Sequence, residues 1–378
     1  MPDHLSTVIT IHHIAVIHFG FGARLRLPQA LLDTGIRRPL FVTDQTIRAC
    51  GVFGLATEAL PSPSDIFHGT PPNPTIAAVH EALEQYRREG CDGLVAVGGG
   101  SVIDCAKAVA LLATHDGPLD HYEHAPEGSI GAHIAPVLAV PTTAGTGSEV
   151  GRGMGITLDC GRKGAFRSRN LVPKTALYDP ELTVGLPPLL TAGTGIDAFS
   201  HCLEAFISPL VNPPVDAIAL SGIRRIAAYI ESATKNGDDR EARWHMMMGA
   251  VESGISLWKG AGYAHALAVA MDELDLHHGT LVGTVLPECI RYQEHHLGAR
   301  GQSIRDALGL PADGSIARFL DRLNASIGVP GSLAELGVPH EALPAFAKTA
   351  VDTVFNRNSP VSMNVQDCVG ILSRCMEV

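Results

Sequence analysis

Gly93-Leu94-Val95-Ala96-Val97 runs straight into Gly98-Gly99-Gly100-Ser101 and then into a helix-patterned stretch, Val102 to Thr114. A short strand that is apolar at every position is buried on both faces, which calls for a parallel sheet covered by helices. The glycines let the backbone approach an anion, and the free N–H groups and dipole of the following helix face it. A glycine run by itself is only a tight turn, and this one is not G-x-G-x-x-G. Its place between strand and helix favours a phosphate contact at Gly99, Gly100 and Ser101. Asp104 and Lys107 follow on the first turns of that helix, either as functional groups or as a solvated charged pair.

The surrounding chain repeats the alternation. Thr7 to Phe19 reads as strands at a sheet edge, Ala23 to Gly35 as a helix ending at glycine, and Arg38 to Asp44 as a buried parallel strand. An acid at the end of such a strand can accept hydrogen bonds from an adenosine ribose and repel a 2′-phosphate, so Asp44 favours NAD over NADP. A strand-ending Asp that starts a turn explains the residue equally well. Thr75 caps a helix from Ile76 to Glu89. Ala135 to Val140 is a further strand, and it opens into Pro141-Thr142-Thr143-Ala144-Gly145-Thr146-Gly147-Ser148-Glu149. Hydroxyls this dense at the open end of a sheet supply donors to a ligand, Ser148 among them. Short strands follow at Ile156–Asp159, Gly164–Phe166 and Ala176–Tyr178.

From Leu186 the strands stop. Helical patterns cover 189–207, 214–234, 240–258, 281–296, 314–327, 341–355 and 365–376, punctuated by Pro209, Pro213, Pro214, Pro287 and Pro330. In the first of these helices Asp197 and His201 are four residues apart and share one face. A carboxylate and an imidazole on one face are two ligands of a divalent metal site. His265 and the pair His277-His278 lie downstream. On spacing alone the plainer reading, an ion pair or cap, is favoured.

The 378 residues are enough for two domains. The expectation is an α/β dinucleotide-binding domain over residues 1–185, a parallel sheet with flanking helices, and an all-α helical domain over 186–378, with the active site in the cleft between them. The net charge of −11 argues against a nucleic-acid partner. No apolar run approaches the roughly 20 residues that span a bilayer, and no secretory signal is evident. The eight cysteines lack CxxC spacing and read as reduced thiols in the cytoplasm, mostly core fillers such as Cys105 and Cys202.

Taken together, the stretches Gly98 to Lys107, Pro141 to Glu149, Asp197 to Ala205, and His278-Gly279 with Leu286-Pro287 resemble the iron-containing (group III) alcohol dehydrogenase family. The resemblance extends to Pro72-Asn73-Pro74-Thr75 and Asp179 to Thr183, and so spans nearly the whole chain. Gly35 to Leu40, Gly90 to Val97, Gly161-Arg162-Lys163 and Leu276 to Leu281 look most like its 4-hydroxybutyrate dehydrogenase branch. Several motifs in the right order overturn the plainer reading of Asp197 and His201. The resemblance implies the metal ligands Asp197, His201, His265 and His278, with Fe(II) or Zn(II) both fitting the donor set. It puts Asp44, Asn73, Gly100, Ser101, Thr142, Thr143, Lys163 and Leu182 around NAD, and Gly99, Asp104 and Ser148 join them as candidates from their positions in the glycine turn, the helix it opens and the hydroxyl-rich loop.

The implied reaction passes a hydride between NAD(H) and a small primary alcohol or aldehyde, such as 4-hydroxybutyrate and succinic semialdehyde. One departure stands out. Where the family has a histidine four residues after its third ligand, this chain has Val269. His277 is a candidate to take over part of that role, or Asp272 or Glu273 lies near a changed pocket. Two other readings compete: a metal-free reductase of the maleylacetate type, and an inactive nucleotide-binding relative. The N-terminal edge strand allows a homodimer by strand pairing.

Overall fold

The computed structural model describes residues 15–377 except 124, 125 and 127. It divides into two compact units, one ending at Val184 and one beginning at Gly185.

The first unit is built on a six-stranded sheet: β1 (Val16–Phe19), β2 (Pro39–Val42), β3 (Ile66–Phe67), β4 (Gly93–Gly98), β5 (Val137–Pro141) and β8 (Thr175–Tyr178), in the order β1-β8-β5-β4-β2-β3. Every pairing in it is parallel. Alternate residues of β4 enter two separate cores. Leu94 and Ala96 pack on one face, Val95 and Val97 on the other. That is why its sequence is apolar throughout. The helices of this unit are α1 (Leu27–Thr34), α2 (Gln45–Ala49), α3 (Val52–Ala56), α4 (Ile76–Arg88) and α5 (Gly100–Leu112). Thr75 caps α4 through Ala78 N–H, as expected, and Gly35, at φ 75°, ends α1. The edge-strand expectation over Thr7 to Phe19 is met at Val16–Phe19, and residues 7–14 lie outside the described residues. The helix expected from Ala23 begins instead as a 3-10 turn, Ala23–Arg26, because Pro28 suits only the first turn of α1. The strand read at Ile156–Asp159 is shifted to β6 (Gly153–Thr157), which forms an antiparallel hairpin with β7 (Lys163–Arg167).

The second unit is helical among its described residues: α6 (Pro188–Ile207), α7 (Pro213–Lys235), α8 (Arg240–Ser256), α9 (Tyr263–Ala270), α10 (His278–Gln293), α11 (Ala299–Leu308), α12 (Ile316–Ile327), α13 (Leu343–Asp352), α14 (Val354–Arg357) and α15 (Val365–Met376). α6 is the central element, packed by α7, α8 and α10. It is buried at every position from Thr191 to Ile207. α9 and α11 are additions to the sequence reading. α10 starts three residues earlier than expected, and Pro287 lies inside it rather than breaking it. No helix among the described residues is long and apolar enough to cross a membrane.

Candidate metal centre and cofactor loops

A helix buried on all sides has no solvent for its polar side chains, so those of α6 must meet one another or a ligand. Asp197 and His201 stand one turn apart, with Asp197 Oδ1 3.7 Å from His201 Nε2. α9 brings His265 Nε2 to 3.5 Å from the same oxygen. The two imidazoles stack at 4.6 Å between centroids. One ligating atom from each of the three residues lies within 4.8 Å of the others, in a fully buried position. Asp197 Oδ1 and His265 Nε2 make no close hydrogen bond, and their mutual charge across 3.5 Å offsets their burial. Buried polar atoms so placed are costly, and an acceptor and a ring nitrogen converging on one point are the donor set of a divalent cation.

The outer ring nitrogens are already committed. His201 Nδ1 meets Ser253 Oγ at 3.0 Å, and His265 Nδ1 meets Glu204 Oε2 at 2.6 Å. Glu204 is 0% exposed and also accepts the Gly262 and Ala264 N–H groups, at 2.8 and 2.7 Å. It caps the N-terminus of α9 and orients the His265 imidazole, an arrangement like that of a carboxylate behind a metal-bound histidine. Sequence reading gave Glu204 and Ser253 no role. Glu204 had a signal: it is seven residues after Asp197, on the same stripe of an otherwise apolar or small-residue helix. Ser253 had none.

Burial by itself would raise the Asp197 pKa, yet His201, His265 and His278 hold the carboxyl well below the usual carboxylate range. Burial pushes His201 down to about 3 against the pull of Asp197. Burial also acts to lower His265, but Glu204 and Asp197 raise it to about 10. The site without metal therefore holds an ionised Asp197, a neutral His201 and a protonated His265.

His278, the fourth expected ligand, stands beside this group. Its ring centroid is 5.5 Å from that of His265, and its Nδ1, which has no hydrogen-bond partner, is 3.6 Å from Asp272 Oδ1. Gly279 holds it there. A Cβ on Gly279 would fall 2.2 Å from the carbonyl oxygen of Gly193, so α10 starts flush against α6. His277 is the N-cap of α10. Its Nδ1 accepts Thr280 N–H at 3.2 Å, which fixes the Nε2–H tautomer. Val269 is half-buried on the last turn of α9, four residues after His265 and on its face. Asp272 and Glu273 form a 3-10 turn just beyond it.

In the first unit the chain passes from β3, at one edge, across β2 to β4. The strand order reverses there, and ligands of open α/β sheets bind at such a reversal. Asp44 follows β2 and caps α2, its Oδ1 accepting Ile47 N–H at 2.8 Å. Gly99 is the N-cap of α5 after β4. Thr142 follows β5, is buried, and has an unpartnered Oγ1. Thr143 lies over Gly99, and Thr146 lies over Gly100, where a Cβ would meet its side chain at 2.7 Å. Ser101 Oγ donates to Pro72 O, next to the half-buried Asn73. Lys163 begins β7 with its side chain over Gly155. Leu182 is buried in the core beneath. Asp104 and Ser148 bond to each other, and Lys107 is 0% exposed, which removes the reading of Asp104 and Lys107 as a solvated pair.

A family model described as iron-containing alcohol dehydrogenase matches residues 15–180, and one described as Fe-containing alcohol dehydrogenase family, C-terminal, matches residues 191–376. The chain belongs to the iron-containing alcohol dehydrogenase family. It is an oxidoreductase of the group III alcohol dehydrogenase type. A 4-hydroxybutyrate dehydrogenase of Cupriavidus necator is 42% identical over 379 residues, which cover 97% of this chain and 99% of that one. The crystal structure of a 1,3-propanediol oxidoreductase superposes with a TM-score of 0.92 at 31% identity, covering 98% of this chain and all of that one. A sulfoacetaldehyde reductase from Bifidobacterium kashiwanohense, crystallised in complex with NAD+, gives 0.91 at 25% identity over 99% of this chain and all of its own.

Proposed function

We propose that this alcohol dehydrogenase interconverts a small primary alcohol and its aldehyde with NAD(H) and a divalent metal, Fe(II) or Zn(II), held by Asp197, His201, His265 and His278. The observation that carries the reading is the buried Asp197–His201–His265 group, in which Asp197 Oδ1 and His265 Nε2 make no close hydrogen bond. Bound there, the ion supplies Lewis acidity at the substrate oxygen, and NAD supplies the hydride acceptor. Ser253 and Glu204 hold the two imidazoles by their outer nitrogens, so both Nε2 atoms face inward. His278, its ring 5.5 Å from that of His265 between centroids, is the candidate for the fourth position. His277, with Nδ1 accepting Thr280 N–H, carries its proton on Nε2, the candidate donor of a proton relay. Val269 leaves an apolar side chain one turn beyond His265.

For the cofactor, Gly99, Gly100 and Ser101 offer amides to the pyrophosphate, Asp44 takes the ribose hydroxyls, and Asn73, Thr142, Thr143, Lys163 and Leu182 surround the rest. Asp104 and Ser148 shape the loop from behind. The relationship to the Cupriavidus enzyme supports an ω-hydroxy acid such as 4-hydroxybutyrate as substrate. All eight cysteines are free, which fits a reducing cytoplasm. Among the described residues β1 lies at the edge of the sheet, where a second copy would pair to give a homodimer.

The test is elemental analysis of freshly purified protein, with NADH oxidation on succinic semialdehyde measured before and after chelation. The expected result is stoichiometric Fe or Zn, with turnover lost on chelation and restored by adding the metal back. Turnover without metal would make the enzyme a metal-free reductase of the maleylacetate type. Bound metal without turnover on any short aldehyde would make it an inactive relative.

A further inference from the structure

We propose that Asp104 and Lys107 act together as a surrogate strand partner for β6, and that Lys107 is the positioning residue that fixes Ser148 to Gly155, and with them Lys163, beside the dinucleotide. The proposal rests on the NAD reading above.

β6 spends one edge on β7. Ser168 N–H donates to Arg152 O at 3.0 Å and Leu158 N–H to Arg162 O at 2.8 Å. In an extended chain alternate residues turn their backbone groups to opposite edges, so 151, 153, 155 and 157 point the other way. No strand lies on that side among the described residues, apart from a single bridge between Thr75 and Thr157. Side chains of α5 take the place of one. Lys107 Nζ donates to Gly151 O at 3.0 Å and to Gly153 O at 2.9 Å, Asp104 Oδ2 accepts Gly155 N–H at 2.8 Å, and Pro74 O accepts Thr157 N–H at 2.7 Å. The third ammonium proton goes to Ser148 Oγ at 3.0 Å, and Ser148 in turn donates to Asp104.

The chemistry is matched throughout. An ammonium has three donors, and here it has three acceptors. Spacing of three residues puts Asp104 and Lys107 on one face of α5. Burial pushes Lys107 down to about 8 while Asp104 and Glu149 pull it back up, so it is still an ammonium at neutral pH. A buried charge persists only where each of its protons is satisfied. The clamp refers the hairpin to the helix whose N-terminus is the phosphate site. Lys163, paired with Thr157 across the hairpin, then lies over Gly155, where a Cβ would stand 2.9 Å from its Cε.

Two variants of the metal-loaded enzyme test this, Lys107→Met, with no donors, and Lys107→Gln, with two. NADH affinity is read by fluorescence titration, kcat at saturating cofactor, and metal content by elemental analysis. The expected result is an NADH Kd raised about tenfold or more in Lys107→Met and less in Lys107→Gln, with kcat within about twofold of wild type and metal content unchanged. Folded variants with wild-type Kd, or with kcat lost and Kd kept, would overturn the positioning role. Wild-type enzyme that binds no NADH would overturn the NAD reading instead. Should neither variant fold, hydrogen exchange on the wild type decides. The Gly155 amide must be strongly protected without cofactor, and exchange as fast as in residues 142–147 would sink the clamp.

Discussion

Asp197, His201 and His265 are buried alike, and their neighbours send them to different charge states. His265 is the one with a measurable consequence. It is raised from 6.5 to about 10, with burial opposed by Glu204 and Asp197, so the metal-free protein carries a proton on it at neutral pH. A dication must displace that proton. Metal uptake near pH 7.5 is therefore expected to release about one proton per site, read by calorimetry in buffers of different ionisation enthalpy. Release of none would mean that His265 is neutral before the metal arrives. The stabilising contribution of the same group is fully present below about 6.5 and lost as the pH rises through 10, so melts of chelated protein should weaken over that window. Asp44 separates two roles. As N-cap of α2 it is replaceable by glycine at a cost of only a few tenths of a kcal/mol. As the proposed ribose acceptor it would exclude a 2′-phosphate. Asp44→Gly is expected to leave Tm nearly unchanged and to raise the NADP/NAD ratio of kcat/KM about tenfold, or 1.4 kcal/mol. An unchanged ratio would take Asp44 away from the ribose.

The contact between α6 and α10 decides where His278 stands. Gly279 against Gly193 is backbone on backbone, and no rotamer change relieves a Cβ placed 2.2 Å from a carbonyl oxygen. Gly279→Ala must push α10 outward. The expected cost is about 1–3 kcal/mol, as for other overpacked sites, together with loss of metal affinity, because His278 moves with the helix. Normal metal content in a destabilised variant would show that His278 is not a ligand. At this scale the sequence was uneven. β4, β5, α4 and α5 were legible because burial imposes apolar runs and caps. α9 was not, since Tyr263 to Ala268 is buried on every side and leaves no amphipathic stripe to read. The start of α10 was missed because its cap is a histidine, an unusual capping residue.

Across the whole molecule, the metal group lies in the unit from Gly185 onward and the phosphate and ribose candidates lie in the unit ending at Val184. Chelation is therefore expected to abolish turnover and to leave NADH binding within about threefold, with Tm falling as bound metal is lost. NADH affinity that disappears with the metal would show that the cofactor depends on the helical unit.

By itself the sequence determined the alternation of strands and helices, the change of character near Leu186, the glycine turn before α5, and the family. These rest on local spacing: period, caps and glycine positions report burial within a few residues of themselves. Tertiary structure decided which atoms meet. Asp104 and Lys107 are a charged i,i+3 pair in sequence, and only the docking of β6 makes them a buried clamp. Glu204 is one acid in an apolar helix, and only the approach of α9 makes it the partner of His265. His278 is a family ligand by motif, and the packing of α10 on α6 leaves it just outside the triad. Each of these contacts joins residues far apart in the chain, and spacing along a sequence carries no information about the distance between helices that meet only when the core closes.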